Sequence, residues 1–271
     1  MAGSTDRGRQ RADLQRSRVV APRSAWRWLL AACLLLCLQS ALAAEPLRVA
    51  AASDMRSVWL ALATAFEQDS GIALSPSFAA SGKLSQQIEH GAPFDVFLSA
   101  DQAIAERLVE RGLTRGPAQR YTRGRLGLWL REGSPVQGLE QLATHLRGKL
   151  VIANPRHAPY GQRAEQVLQV GAQWQALQGQ LVMGENVAQA AQLALSGQAE
   201  AALIAWSLRT ELSQGRWVLI DEQLHEPLWQ VALVLKTARS SEPEQFLQFL
   251  QSDRAQAIFV AQGFMSLSSE Q

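Results

Sequence analysis

Cysteine is nearly absent from this chain of 271 residues. Its two cysteines, Cys33 and Cys37, lie in an N-terminal segment that is predicted to be removed, which leaves no disulfide and no thiolate ligand for a metal. The four histidines show no H-x-x-x-H or H-E-x-x-H spacing, which argues against a dedicated metal site. Nucleophile-elbow, Walker and G-x-G-x-x-G motifs are also missing, so the common signatures of hydrolases and nucleotide-binding enzymes are not found.

The first 44 residues have the pattern of an export signal. Seven Arg and two Asp occur in residues 1–27, an apolar run follows at 28–38, and small residues end the segment at 41–44. This order predicts a signal peptide over residues 1–44. The apolar run is shorter than the roughly 20 residues that span a bilayer, which argues against a membrane anchor. Because residues 30–33 (Leu-Ala-Ala-Cys) resemble a lipoprotein cleavage box, lipid attachment stays an alternative.

Without residues 1–44, the chain has no large excess of either positive or negative charge. Without the seven Arg and two Asp of this segment, 19 basic and 22 acidic residues remain, a net charge of −3 in place of +2. No basic stripe interleaved with aromatic residues is left in the mature chain. The composition therefore predicts no nucleic-acid partner.

Short apolar runs alternate with helical patterns through the rest of the chain. Predicted strands include 47–51, 72–78, 95–99, 150–153 and 201–205, separated by segments with apolar residues at helical spacing. This rhythm predicts an α/β fold with largely parallel sheets. Residues 139–146 are predicted to form one helix, and a final helical region includes Phe246 and Phe249.

Two extended segments suggest that the chain crosses between two lobes. With crossings at 123–130 and 226–234, residues 45–124 plus 227–271 would form lobe 1 and residues 125–226 would form lobe 2. A cleft between two lobes joined by short crossings is the geometry of a binder that closes about a hinge. One continuous sheet is the alternative.

Four predicted strand-to-helix junctions attract attention, because ligands of parallel α/β folds bind at the carboxyl ends of strands. They are residues 50–54, 78–84, 154–161 and 184–187. Helix N-termini present unpaired backbone N–H groups and a partial positive charge, so several together can bind an anion without a cationic side chain. Ser53 and Ser81 would add hydroxyl donors, although each could instead be a simple N-cap.

The same junction sequences resemble the periplasmic molybdate-binding proteins of ABC importers. The resemblance is carried by AAAS at 50–53, SGKL at 81–84, GAPFDVFLSAD at 91–101, NP with APYG within 154–161, and GENV at 184–187. It implies a two-lobed type II periplasmic-binding-protein fold, in which each lobe is a mostly parallel sheet flanked by helices and the ligand cleft lies between the lobes. It also implies that the oxyanion is held by neutral donors alone.

The resemblance assigns site residues one by one. Ser53 and Ser81 would give hydroxyl and backbone N–H donors from lobe 1, and Tyr160 and Val187 would give backbone N–H donors from lobe 2. Some members of the family place a Tyr hydroxyl on the oxyanion after a strand like 201–205. Here Trp206 occupies that position and Ser207 follows it, so these two are possible additional contacts.

Protonation separates molybdate, tungstate and sulfate from phosphate, but molybdate and sulfate differ mainly in size, which the sequence does not give. The resemblance favours molybdate, with tungstate as a second ligand, and sulfate or another tetrahedral oxyanion is the alternative. These dianions only accept hydrogen bonds at neutral pH, whereas phosphate keeps a proton that needs an acceptor, and a buried unpaired group costs roughly 1–3 kcal/mol. Asp54 could supply that acceptor, but it is expected to face solvent, as is Lys83.

The sequence thus predicts a periplasmic carrier rather than an enzyme. It would act as a monomer, without a cofactor or a bound metal ion, and its partner would be the membrane permease of an ABC importer. A ligand-sensing domain is a second alternative, and a small-molecule enzyme on the same fold is a third.

Overall fold

The computed structural model describes residues 45–267 and folds them into two five-stranded sheets flanked by helices. This architecture confirms the predicted fold class. The predicted signal segment, residues 1–44, lies outside the described residues, as do residues 268–271. Within residues 45–267 no helix is both long enough and apolar enough to cross a membrane.

Ten strands and nine α-helices make up the described part of the chain. The strands β1 to β10 are Leu47–Ala52, Leu74–Ala79, Val96–Ser99, Gln119–Gly124, Leu126–Leu130, Leu150–Ala153, Leu181–Gly184, Ala201–Ala205, Arg216–Leu219 and Leu228–Val234. The helices α1 to α9 are Arg56–Ser70, Ser81–Glu89, Gln102–Glu110, Leu142–His145, Pro159–Val170, Trp174–Leu177, Val187–Leu195, Glu242–Leu250 and Asp253–Ala261. Short 3₁₀ turns lie at Ser53–Met55, Leu139–Gln141, Gln178–Gln180, Trp206–Thr210 and Glu222–Leu224.

The two sheets have related pairing patterns. The sheet of lobe 1 has the order β2-β1-β3-β10-β4, and the sheet of lobe 2 has the order β7-β6-β8-β5-β9. In each, three strands run parallel (β2-β1-β3 and β7-β6-β8) and the last two pair antiparallel. Two of the four pairings in each sheet are therefore parallel, a smaller share than "mostly parallel" implies.

Apolar runs form the central strands because both faces of each sheet are covered. Every residue of β3, β5, β6 and β8 is buried, as expected for strands that pack against helices on both sides. In lobe 1, Phe66 and Phe246 pack on one face of the sheet, and Phe97 and Leu108 pack on the other. Helix α1 ends at Gly71, whose φ of 73° is a left-handed conformation that glycine adopts without strain.

The chain passes between the sheets twice. Arg125 alone separates β4 from β5, and residues 220–227 connect β9 to β10. Residues 47–124 and 228–234 thus supply the strands of one sheet, and residues 126–219 supply the strands of the other. The exact lobe boundaries, and their movement as separate bodies, stay predictions.

Several predicted elements differ from the structure. Residues 139–146 form a 3₁₀ turn and the single-turn helix α4 in place of one helix. The extended segment at 123–130 is two strands, and β4 begins earlier, at Gln119, with exposed polar residues that gave no apolar run. The predicted C-terminal helical region consists of two helices, α8 and α9. The second begins after Ser252, whose hydroxyl accepts from the Ala255 N–H at 3.3 Å and so caps the N-terminus of α9.

Candidate anion site

The four predicted junctions line one small cavity between the lobes. The space in it that the centre of a water-sized molecule can reach is about 10 Å³. That volume is far below the roughly 300–1,000 Å³ of sites for drug-sized ligands, so the cavity suits a small ligand. Lobe 1 lines it with Ala52, Ser53, Asp54, Ala79, Ala80, Ser81 and Ala100, and lobe 2 with Ala158, Pro159, Tyr160 and Val187.

Alanines at the strand ends bring the two lobes close together. Ala52, Ala80 and Ala100, from lobe 1, are exposed by 3% or less and pack in the same apolar cluster as Ala158 and Val187, from lobe 2. Their methyl groups leave the backbone of both lobes within reach of a bound ion. The arrangement is that of a closed cleft.

Two serines supply the hydroxyl groups of lobe 1. Ser53 is 3% exposed, and its hydroxyl makes no hydrogen bond with another described residue. The Ser81 hydroxyl accepts from the Ala100 N–H at 3.0 Å, so its own hydrogen is left for another acceptor. Neither serine is an N-cap, since Ala52 and Ala80 occupy those positions. Both hydroxyls are therefore available to a ligand in the cavity.

Two helix N-termini supply the backbone donors of lobe 2. Tyr160 is the second residue of α5, behind Pro159, which has no N–H. Val187 is the first residue of α7, and its N-cap Asn186 accepts from the Gln189 N–H at 3.0 Å. First-turn N–H groups have no partner within their own helix. The structure thus brings the four principal predicted residues, Ser53, Ser81, Tyr160 and Val187, to one cavity.

Asp54 does not face solvent, so that expectation is wrong. It is fully buried and lines the cavity, and the Gln230 side-chain amide donates to its Oδ2 at 2.8 Å. Its Oδ1 has no hydrogen-bonding partner among the described residues. Burial raises the pKa of Asp54 to about 6, because the charged form loses its hydration.

The Tyr160 side chain lies next to the buried Asp54 carboxyl. Its hydroxyl lies beside the Asp54 carboxyl, and no other residue within 45–267 bonds to it. Burial, followed by the charge of Asp54 and the interaction with its carboxyl, raises the pKa of Tyr160 well above the ordinary value. The hydroxyl occupies space next to Gly124, where a Cβ atom would collide with it. Tyr160 therefore offers its N–H to the cavity and packs its ring where the lobes meet.

Trp206 and Ser207 do not line the cavity in this structure. The Trp206 ring lies edge-on to Trp217, with centroids 5.7 Å apart, and Arg125 and Arg209 lie over it. The Ser207 hydroxyl donates to the backbone carbonyl of Asp54 at 3.2 Å. Ser207 thus joins the lobes beside the site, whereas the ring contacts of Trp206 are to lobe 2 and to the crossing residue Arg125.

The cavity rim is closed by contacts across the cleft. The Gly82 N–H of lobe 1 donates to the His157 carbonyl of lobe 2 at 3.0 Å. Within lobe 2, His157 Nε2 lies 2.8 Å from the Glu185 carbonyl oxygen. Lys83 was expected to point into solvent; it is half-exposed but forms an ion pair with Glu185 of the opposite lobe. Lys83 is thus a rim residue and does not line the cavity.

A buried ion pair also joins the lobes. Arg163 of α5 donates to Asp101 at 2.9 Å, and both side chains are less than 10% exposed. Asp101 directly follows Ala100, and its Oδ1 accepts from the Ile104 N–H at 3.1 Å to cap α3. Asp101 ends the GAPFDVFLSAD motif, but nothing in the sequence indicates that Arg163 is its partner.

The cavity lining carries no fixed positive charge. Among residues 45–267, no Lys, Arg or His lines the cavity, and Asp54 and Tyr160 are the only titratable residues that do. In the same range no group of three or more His, Cys, Asp or Glu side chains could hold a metal ion. The site thus offers a ligand neutral N–H and O–H donors together with one carboxyl group, Asp54.

Gln230 was missed by sequence analysis, although the sequence contained a signal. It is the single polar residue in the strand sequence LWQVALV and is fully buried. A buried polar side chain must find a hydrogen-bonding partner. A polar residue inside an apolar strand therefore indicated a buried partner, here Asp54.

Two sheets joined by two crossings, with a small cavity between them, are the arrangement of two-lobed solute-binding proteins. Known proteins agree with this. The model of the bacterial extracellular solute-binding protein family matches residues 47–265. The molybdate-binding protein ModA of Azotobacter vinelandii is 35% identical over 228 residues, which cover 82% of this chain and 90% of that protein.

Two further similarities cover most of the chain. ModA of Rhodobacter capsulatus is 31% identical over 203 residues, 74% of this chain and 81% of that protein. The solved structure of the Azotobacter vinelandii periplasmic molybdate-binding protein matches with a TM-score of 0.76 at 29% identity, covering 81% of this chain and 98% of that one. The chain belongs to the family of bacterial extracellular solute-binding proteins.

Proposed function

We propose that this chain is a periplasmic solute-binding protein that captures molybdate, and also tungstate, and delivers it to the membrane permease of an ABC importer. It acts as a monomer and a carrier, with no cofactor, no catalytic step and no nucleic-acid partner. The named relatives that cover most of the chain bind molybdate, which supports the choice of ligand. The predicted signal peptide supports the location.

One observation carries the proposal: donors from both lobes line one small cavity that has no cationic side chain. Molybdate, tungstate and sulfate accept hydrogen bonds through every oxygen, so they match a set of hydroxyl and backbone N–H donors. A buried hydrogen bond to a charged group contributes roughly 1.5–3 kcal/mol.

Calorimetric titration of the mature protein with molybdate, tungstate, sulfate and phosphate tests the ligand. We expect molybdate and tungstate to bind alike and sulfate to bind far more weakly. Phosphate tests whether the buried Asp54 carboxyl serves as an acceptor for a ligand proton. If sulfate binds as tightly as molybdate, the protein is a general oxyanion binder and the molybdate assignment is wrong.

Two serine variants test the site. Ser53→Ala and Ser81→Ala should each weaken molybdate binding by about tenfold or more, because each removes a hydrogen bond to a charged ligand. Ser196→Ala is the matched control, since this exposed serine follows the last residue of α7 and its hydroxyl donates to the Leu193 carbonyl at 2.8 Å. Unchanged affinity in both site variants would contradict the assignment.

A further inference from the structure

The buried ion pair between Asp101 and Arg163 is connected to donors on both sides of the cavity. On the lobe 1 side, Asp101 follows Ala100, whose N–H holds the Ser81 hydroxyl at 3.0 Å. On the lobe 2 side, Arg163 lies one turn after Tyr160 on α5. The pair therefore joins the segment that orients the Ser81 donor to the helix that carries the Tyr160 donor.

Each partner is fixed by its own surroundings. Asp101 caps α3 through Ile104, and its own N–H donates to the Ser99 hydroxyl at 3.2 Å. Arg163 is 6% exposed and reaches Asp101 with one terminal nitrogen and Glu226 with the other, at 3.4 Å. Glu226 lies in the crossing segment 220–227, so Arg163 contacts lobe 1 and the connection between the sheets at once.

Because the partners come from different lobes, closure removes both charges from water. Burying one charge alone costs several kcal/mol, whereas a paired burial roughly balances its own cost. Such a pair adds little net energy to closure but specifies the distance between the lobes at which the charges meet.

We propose that Asp101 and Arg163 are positioning residues that fix the spacing of the Ser81 and Tyr160 donors across the closed cleft, and thereby the size of oxyanion that the site selects. This inference rests on the proposed oxyanion-binding function. Neither residue lines the cavity, so their effect on the ligand acts through the position of the donors.

A double-mutant cycle tests the inference. Arg163→Met leaves Asp101 buried and unpaired on closure, so molybdate affinity should fall by about thirtyfold or more. Asp101→Asn keeps the cap on α3 and should also lose affinity. The double variant buries no unpaired charge and should recover to within about threefold of the wild type, because replacing a whole buried pair is often neutral.

Selectivity separates a positioning role from a merely structural one. In the double variant the ratio of molybdate to sulfate affinity should fall by about tenfold, because the donor spacing is no longer fixed. Thermal unfolding of each ligand-free variant controls for folding. Two results would overturn the inference: losses of molybdate affinity that are additive in the double variant, or a molybdate-to-sulfate affinity ratio that is unchanged in it.

The same titrations distinguish the two proposals. A wild-type protein that binds none of the oxyanions would refute the proposed function itself. A wild-type protein that binds molybdate selectively, together with an Arg163→Met variant that binds it equally well, would refute only the positioning role.

Discussion

The contacts between the lobes form two groups that differ in burial and in chemistry. The inner contacts, Ser207 with the Asp54 carbonyl and Asp101 with Arg163, involve buried polar side chains. The rim contacts, Gly82 with His157 and Lys83 with Glu185, combine a backbone hydrogen bond with an exposed ion pair. Water competes for the second group but not for the first. Substitutions inside should therefore have larger effects than substitutions at the rim.

The largest effect outside the Asp101–Arg163 cycle is expected at Asp54, as a change in stability with pH. The pKa of Asp54 is raised from 3.8 to about 6, so the folded chain holds this proton more tightly than the unfolded chain. The contribution of Asp54 to stability is then greatest below pH 4, falls as pH rises to about 6, and is constant above it. The difference corresponds to about 3 kcal/mol.

Asp54→Asn removes this titration. The free energy of unfolding of the variant, measured in urea, should gain about 3 kcal/mol relative to the wild type as pH rises from 4 to 7. Asp69→Asn is the control, because the Asp69 side chain is 47% exposed. Parallel profiles for wild type and Asp54→Asn would mean that the buried carboxyl is not protonated in the folded state.

A smaller effect is expected at the backbone contact of the rim. A Cβ at position 82 would lie 2.8 Å from the His157 carbonyl oxygen, so Gly82→Ala should hold the lobes apart. We expect molybdate affinity to fall about tenfold, or about 1.4 kcal/mol, while the melting temperature without ligand stays unchanged. Gly116→Ala, where a Cβ would meet nothing within 4 Å, is the matched control in calorimetry. An equal loss of affinity in both variants would mean that the contact at Gly82 does not contribute to closing the lobes.

The smallest effect is expected at the exposed ion pair. The side chains of Lys83 and Glu185 are 46% and 56% exposed, and such pairs contribute little because solvent and salt screen them. Lys83→Met should weaken molybdate binding by threefold at most, and the difference should disappear in 0.5 M salt. A tenfold loss that persists in high salt would show that Lys83 acts directly on the anion.

Local chemistry explains how far the sequence could predict this molecule. Apolar runs such as Leu150–Ala153 and Ala201–Ala205 were located to the residue because buried strands tolerate little else. The junctions around Ser53, Ser81, Tyr160 and Val187 were found because small residues and helix starts follow those strands. The apolar runs and the junction residues can both be recognised from residues that are adjacent in the sequence.

What the sequence could not supply depends on partners far apart in the chain. Asp54 looked like a solvated first-turn acid, and its burial follows from Gln230, 176 positions away. Arg163 occupies a helix whose pattern gave no indication that Asp101 lies opposite, 62 positions earlier. Trp206 follows the expected strand, but Trp217 and two arginines hold its ring beside the cavity rather than in it.

The two links between the sheets are unequal, one residue at Arg125 against eight at 220–227. One residue contributes a single φ, ψ pair, so the distance between the sheets is fixed at this link. Any change in the angle between the sheets must therefore occur through the dihedral angles of Arg125 and the adjoining strand ends. The longer link has enough residues to follow that rotation. Extra residues inserted at 125 would break the geometric coupling between the halves, whereas insertions in the longer segment would leave the pivot in place.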